Sequence, residues 1–188
     1  MAVKRHGTSS GFSLVEVMVA IVVLAVGLLS ILGMFVFAMS TMQTAQEDLI
    51  AREKAKDALE NVFSARDTGQ ITFDQIQNTT TPPGIFDPGP QPVYITRGDG
   101  LINVSDYIAP GGVYESVTLP GPDGILGTAD DIQMPLSNFK RTITISPVTD
   151  ASGGVNPDLR QIAVTVHYQA ERYGTRQYTT TGYISRYH

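Results

Sequence analysis

Gly11-Phe12-Ser13-Leu14-Val15-Glu16-Val17-Met18-Val19-Ala20 opens an apolar run that continues to Met39, and the rest of the chain is read outward from it. Phe12 to Met39 is 28 residues with one charged side chain, Glu16. A helix needs about 20 apolar residues to cross a bilayer, so the run is long enough. Lys4, Arg5 and His6 precede it, followed by Thr8, Ser9 and Ser10. Basic flanks stay cytoplasmic, which puts residues 1–11 in the cytoplasm and those after about 40 on the far side. A secretory signal begins alike, but its apolar region is only about 7–15 residues and its cleavage site follows that region. Here the glycine that offers a cut comes first.

Glu16 is costly where it stands. A carboxylate in the apolar part of a membrane helix costs about 2.5–3.5 kcal/mol on insertion scales, so such residues usually have a partner and a task. It lies four residues, one helical turn, beyond Phe12. The bland alternative is a glutamate that snorkels to the cytoplasmic surface. Gly27 and Gly33 interrupt the run without a proline. Each weakens a helix by about 1 kcal/mol relative to alanine, or lets a neighbouring helix approach closely; the sequence leaves both readings open.

Gly11 through Ala20 resembles the prepilin signature of type IV pilins and type II secretion pseudopilins, and Ile21 to Leu29 is most similar to the minor pilins called PilV. The resemblance is close over about 12–40 and looser over the last fifty residues. It implies that a prepilin peptidase cuts between Gly11 and Phe12 and that Phe12 becomes N-methylated. It also gives Glu16 a partner: the N-terminal amine freed by the cut, in the same or a neighbouring subunit, a pair that would set axial register inside a filament. Many pilins carry a proline where this chain has Gly33, at a point where the helix melts in the filament.

Thr41 to Arg66 has no Gly or Pro and is rich in good helix formers. Met42, Ala45, Leu49, Leu59, Val62 and Phe63 recur at three-to-four spacing, with a weak stretch around Arg52 to Lys56, and charged residues fill the other positions. This predicts one helix over about 13–66, about 80 Å long at 1.5 Å per residue, ending at Asp67-Thr68-Gly69. Residues 78–136 hold nine of the eleven prolines and nine of the eighteen glycines, which predicts loops and short strands, with Val93 to Thr96 and Val113 to Leu119 as candidates. The C-terminal part alternates with period two. Ile143 and Ile145 oppose Thr142, Thr144 and Ser146 in Phe139 to Val148. Ile162, Val164, Val166 and Tyr168 share a face in Gln161 to Gln169, and Arg176 to Ser185 follows a turn at Tyr173-Gly174-Thr175. These are three strands, the last two a hairpin, whose apolar face needs the amphipathic half of the helix as a cover. The expected class is α+β, and the resemblance names it the type IV pilin fold. The expected division is a cleaved leader 1–11, a membrane and filament-core half-helix 12–40, an amphipathic half-helix 41–66, a variable loop-rich region 67–138 and an antiparallel sheet 139–188.

The net charge is −5. Lys4 and Arg5 lie before Phe12 and all eighteen acidic residues after it, so the remainder carries −7. Phosphate binding needs concentrated Lys and Arg, which argues against nucleic acid as a partner. Without cysteine there is no disulfide, thiol nucleophile or Cys-ligated metal. Asp123, Asp130 and Asp131, within Pro122-Asp123-Gly124-Ile125-Leu126-Gly127-Thr128-Ala129-Asp130-Asp131, form the candidate metal site. Calcium takes six to eight oxygens and tolerates such a mixture, with Asp99 and Asp106 as further ligands if the fold brings them near. The competing reading is a solvated turn held by its Asp side chains. Arg97-Gly98-Asp99 spells an adhesion tripeptide, a match common by chance. His6 lies in the leader, His188 is last, and His167 alternates opposite its strand's apolar face, where exposure is expected. No nucleophile elbow, Walker loop or dinucleotide fingerprint is present, so no enzyme is expected.

The resemblance therefore implies a structural subunit, a minor one by its likeness to PilV, and the missing disulfide loop favours a minor or a pseudopilin role over a major one. It would be processed by prepilin peptidase, held as a single pass in the bacterial inner membrane with a periplasmic head, and drawn by the assembly machinery into a filament with other pilin subunits. The alternatives are a type II secretion pseudopilin or, from another class, a membrane-anchored binding domain that never polymerises.

Overall fold

The computed structural model describes residues 13–95, 113–170 and 174–187. Gly11 and Phe12, the Arg97-Gly98-Asp99 tripeptide, Asp99, Asp106, His6 and His188 lie outside them. The first element is a 54-residue helix, α1 (Leu14–Asp67), within one residue of the expected bounds. It runs unbroken through Gly27 and Gly33. Its end is where the sequence placed it. Gly69 takes φ +72°, its N–H donates to the carbonyl of Arg66 (3.0 Å), and that of Gln70 donates to Ala65 (2.8 Å). This left-handed stop suits glycine, which has no Cβ to clash.

The chain divides into two compact units, one ending at Gln43 and one beginning at Thr44. The first is helix alone. In the second, residues Thr44–Asp67 of α1 cover a four-stranded antiparallel sheet. A short 3-10 turn, Phe73–Gln75, follows the helix, capped reciprocally by Thr72 and Gln75. Then come β1 (Gln91–Pro92), β2 (Tyr94–Ile95), β3 (Val113–Tyr114), β4 (Ser116–Leu119), β5 (Ile132–Pro135), β6 (Phe139–Thr149), β7 (Val155–Ala170) and β8 (Gly174–Ser185). The main sheet runs β1-β6-β7-β8, while β2 pairs with β3 and β4 with β5.

Period-two alternation places the core. Ile143, Ile145, Ile162, Val164, Val166 and Tyr168 are all buried, while Thr142, Thr144 and Ser146 on the other face are half-buried. His167 shares that other face but is half-buried, where exposure was expected, because it sits between Lys140 of β6 and Gln177 of β8. Strand β7 starts six residues earlier than the alternation shows. Its register against β6 shifts at Pro147/Val148, and that irregularity hides the period.

The helix face differs from the one its large side chains suggested. Met42 and Leu49 are exposed, whereas Ile50, Ala51, Ala55, Ala58, Val62 and Ala65 are buried. The apparently weak stretch 52–56 is spanned by alanines that let the helix sit close to the sheet. Gly182 of β8 shows how close: a Cβ there would lie 3.0 Å from Phe63 Cζ and 3.2 Å from Leu59 Cδ1. The loop-rich middle also contributes core, since Phe86, Val93 and Leu136 are fully buried.

Candidate functional site

In the first unit the sequence signal becomes a surface. Every residue from Ser13 to Met39 is exposed in the single chain, so the apolar run faces outward all round the helix. Its most hydrophobic 18-residue window has a mean hydropathy of 2.9, enough in length and composition to cross a membrane. A helix buried in lipid or in a bundle must satisfy its polar groups internally, and these do. Ser30 Oγ donates to the Val26 carbonyl (2.8 Å), and Thr41 Oγ1 to that of Phe37 (2.9 Å). Glu16 is exposed in the helix's first turn, where a carboxylate also meets the positive end of the helix dipole. A carboxylate on an otherwise apolar cylinder can hold one cation, and it selects where along a neighbour that cation must lie.

The family model for the prokaryotic N-terminal methylation motif matches residues 8–32, the stretch that holds Gly11, Phe12 and Glu16. The motif indicates a type IV pilin-like or pseudopilin-like protein. Comparison with curated proteins and with solved structures gave no match. The fold of this pilin-like chain is the α+β pilin arrangement, with the helix packed on an antiparallel sheet.

Asp123, Asp130 and Asp131 come together in the turn joining β4 to β5, but their oxygens are engaged in the turn itself. Asp123 Oδ1 accepts from Ile125 N–H (2.8 Å) and Asp131 Oδ2 from Gly127 N–H (2.7 Å). Asp130 Oδ1 accepts from the Thr128 hydroxyl (2.7 Å), and this bond holds the Asp130 carboxyl below the usual carboxylate range. Gly121 passes so close to the Asp130 carbonyl oxygen that a Cβ there would lie 2.3 Å from it. Among the described residues no three acidic, His or Cys side chains are placed to hold a metal. One oxygen, Asp131 Oδ1, is buried without a hydrogen-bond partner.

Three polar clusters escaped the sequence reading, and each ties the helix or its following loop to the sheet. Lys54 of α1 pairs with Glu115, between β3 and β4. The Tyr168 hydroxyl donates to Asp48, which also faces Arg176 at 3.4 Å; burial, then the Asp48 bond, pushes the Tyr168 phenol up to about 12. Arg160 donates to the carbonyls of Phe73 and Ile76, while Arg186 bonds Asp74 and Asp158 at 3.0 Å each. Partners this far apart in sequence leave no local signal.

Proposed function

We propose that this chain is a structural subunit of a type IV pilus, of the minor kind. It is cut between Gly11 and Phe12, methylated on Phe12, and assembled by packing its N-terminal helix against those of other pilin subunits. Glu16 pairs with the freed amine of Phe12, in the same or a neighbouring subunit, and so fixes the axial register. The observation that carries this reading is the helix of residues 14–39. It is apolar on every side, exposed in the single chain and interrupted by one carboxylate a turn from the processing motif. A simple anchor needs a span but has no use for that carboxylate. Inside a bundle the pair is poorly screened, and a lone Glu16 is costly, so a misregistered neighbour is rejected.

Before assembly the protein waits in the bacterial inner membrane with its head in the periplasm. No calcium ion is invoked at Asp123, Asp130 and Asp131, where one oxygen of each carboxylate already accepts a hydrogen bond within the turn.

The test is the intact mass and N-terminal fragment spectrum of the protein from its native membrane and from sheared filaments. Loss of residues 1–11 with one added methyl on Phe12 is expected, as is recovery in filaments outside the cell. Processed chain confined to the periplasm would make it a pseudopilin. An uncut chain, in cells whose other prepilins are processed, would leave only a membrane-anchored domain. Glu16→Ala should be processed normally and yet fail to enter filaments.

A further inference from the structure

Strand β8 ends the main sheet, and the run of its ladder fixes which of its backbone groups are unused. In an antiparallel pair, alternate residues turn their N–H and C=O toward one neighbour and the rest toward the other. Ile145 of β6 spends both of its groups on the Asn78 side chain. Asn78 Oδ1 accepts from its N–H (3.1 Å) and the Asn78 amide donates to its carbonyl (2.9 Å), so the odd residues of β6 face away from β7. Carried through the β6–β7 register and the unbroken β7–β8 register, this turns the even residues of β8 toward β7. The bond from Arg186 N–H to the Asp158 carbonyl (2.8 Å) agrees. Thr175, Gln177, Thr179, Thr181 and Tyr183 therefore aim their N–H and C=O at the free edge, and all five are exposed.

That edge is unguarded. The opposite edge is interrupted: β1 pairs with Lys140 and Arg141, Asn78 occupies Ile145, and Pro147 has no N–H to offer. Gly174 to Ser185 contains no proline, no bulge and a single charge, Arg176, so it lacks the devices by which edge strands usually refuse a partner. Its side chains do not screen it either. Thr179 bonds back to Thr165 (2.8 Å) and Thr175 to Gln169 (2.9 Å), while the Tyr183 hydroxyl accepts from Gln161 (3.3 Å), all over the solvent face of the sheet. Among the described residues, no hydrogen bond from outside the ladder reaches the backbone of those five.

Below the same edge, on the helix side, lies a groove of about 510 Å³ whose lining comes from α1 and β8 alone. Leu59, Phe63, Tyr178 and Thr180 line it and are half-buried, and Gly182 lies against Leu59 and Phe63. The rim charges cancel, Arg52 and Lys56 against Glu53 and Glu60, so the groove selects apolar side chains and no particular charge. A strand laid beside β8 would stand about 4.8 Å from it and send every second side chain to the helix side. One kind of occupant satisfies both features: a backbone for the edge, and apolar side chains at alternate positions for the groove.

We propose that β8 is a docking edge for an extended peptide segment of another protein, apolar at every second residue, which adds as a fifth strand and seats those side chains in the Leu59–Phe63–Tyr178 groove. A second copy of this chain is the wrong occupant. Its β6 edge is blocked at Asn78 and Pro147, so the sheet cannot continue from copy to copy. Its β8 would offer the groove Arg176, Tyr178, Thr180 and Gly182, of which only Tyr178 is large and largely apolar. The site lies wholly in the second unit and does not depend on the filament reading.

The test uses the full-length chain in detergent and a synthetic peptide of alternating Thr and Val with Lys at each end. Amide exchange read by NMR is expected to be fast at Thr175, Gln177, Thr179, Thr181 and Tyr183 in the free chain. With the peptide it should slow by about ten-fold or more at those five, while the even residues of β8 change little. The same peptide with Asp at every Val should give no protection, and neither should one methylated at every backbone nitrogen. Thr179→Pro removes one outward N–H without touching the ladder to β7, and should abolish the peptide's effect while the β7 amides stay protected. Edge amides already as protected as those of β7 in the free chain, or protection that grows with the concentration of the free chain, would overturn the proposal. So would equal protection by the Asp peptide, or none by the Val peptide at any concentration. Each of these leaves the filament reading untouched, because that is decided by the N-terminal mass.

Discussion

The pair formed by Lys54 and Glu115 is the sharpest test of how the helix is held to the rest of the head. Their side chains are 13% and 7% exposed, so both charges have left most of their water. Their surroundings differ. Lys54 also approaches Asp57 at 3.6 Å, and Asp57 is 42% exposed. Lys54→Met strands the Glu115 carboxylate, and breaking a buried pair in this way costs about 3–5 kcal/mol. Glu115→Leu leaves Lys54 with Asp57 and a path to solvent, so its cost falls nearer the about 1–3 kcal/mol of a buried polar group short of a partner. The double variant removes both desolvated charges. Replacing a buried pair by apolar residues of similar volume is often neutral or stabilising by about 1–4 kcal/mol, so the double should unfold within about 1 kcal/mol of the parent. Urea unfolding of the full chain in detergent, followed through the near-ultraviolet signal of its eight tyrosines, measures all four corners of the cycle. A double variant as unstable as the sum of the two singles would refute the argument, as would a Lys54→Met change milder than Glu115→Leu.

Tyr168 should be the last tyrosine to ionise, since burial and the bond to Asp48 raise its phenol to about 12. Raised above the unfolded value of 10.0, it contributes stability that is whole below pH 10 and lost as pH rises toward 12; Tyr168→Phe should delete the final step of a tyrosinate absorbance titration. Asp130 has the opposite sign. Its pKa is lowered mainly by the Thr128 hydroxyl, so the order it gives the β4–β5 turn is present above pH 3.8 and lost as pH falls through the lower folded value. Thr128→Ala should move its NMR titration midpoint up. Gly182→Val pushes methyl groups into Phe63 and Leu59, where even a Cβ is within 3.2 Å, and should cost about 1–3 kcal/mol in thermal unfolding.

What the sequence discloses follows from the range over which each signal acts. The helix bounds are local: an apolar run, then helix formers, then a glycine that can turn left-handed, and the structure moves them by one residue. The strands of the C-terminal sheet are equally local, because alternation is written along each strand, and it fades only where the register slips near Pro147. The buried helix face is less legible. Alanine carries little hydrophobic weight, so Met42 and Leu49 stood out, while Ala51, Ala55 and Ala58 face the sheet. Those alanines make sense only against a sheet whose strands lie far along the chain. Phe86, Val93 and Leu136 were hidden as core for a related reason, lying in short apolar stretches among prolines and glycines with no period to mark which residue is buried. At the candidate site the motif names Gly11, Phe12 and Glu16 as expectations, whereas Lys54 and Glu115, 61 residues apart, have no sequence signature.

The acidic turn shows why composition alone misleads about chemistry. Three carboxylates in nine residues suit a cation as well as they suit backbone N–H groups, and only geometry separates the two uses. Here the oxygens of Asp123 and Asp131 point at Ile125 and Gly127 N–H, and the chain spends its negative charge on shaping a loop. Once that is seen, Ile125 and Leu126 become the residues that need an account. Two adjacent aliphatics held in water by the turn, as Ile132 and Val155 are elsewhere, forgo the burial that Phe86, Val93 and Leu136 obtain. Burying either is worth about 1.5–3 kcal/mol, and a loop free to rearrange would fold them inward. The glycines and aspartates prevent that. With both aliphatics outside, the core of this unit is closed by Phe86, Val93 and Leu136 instead.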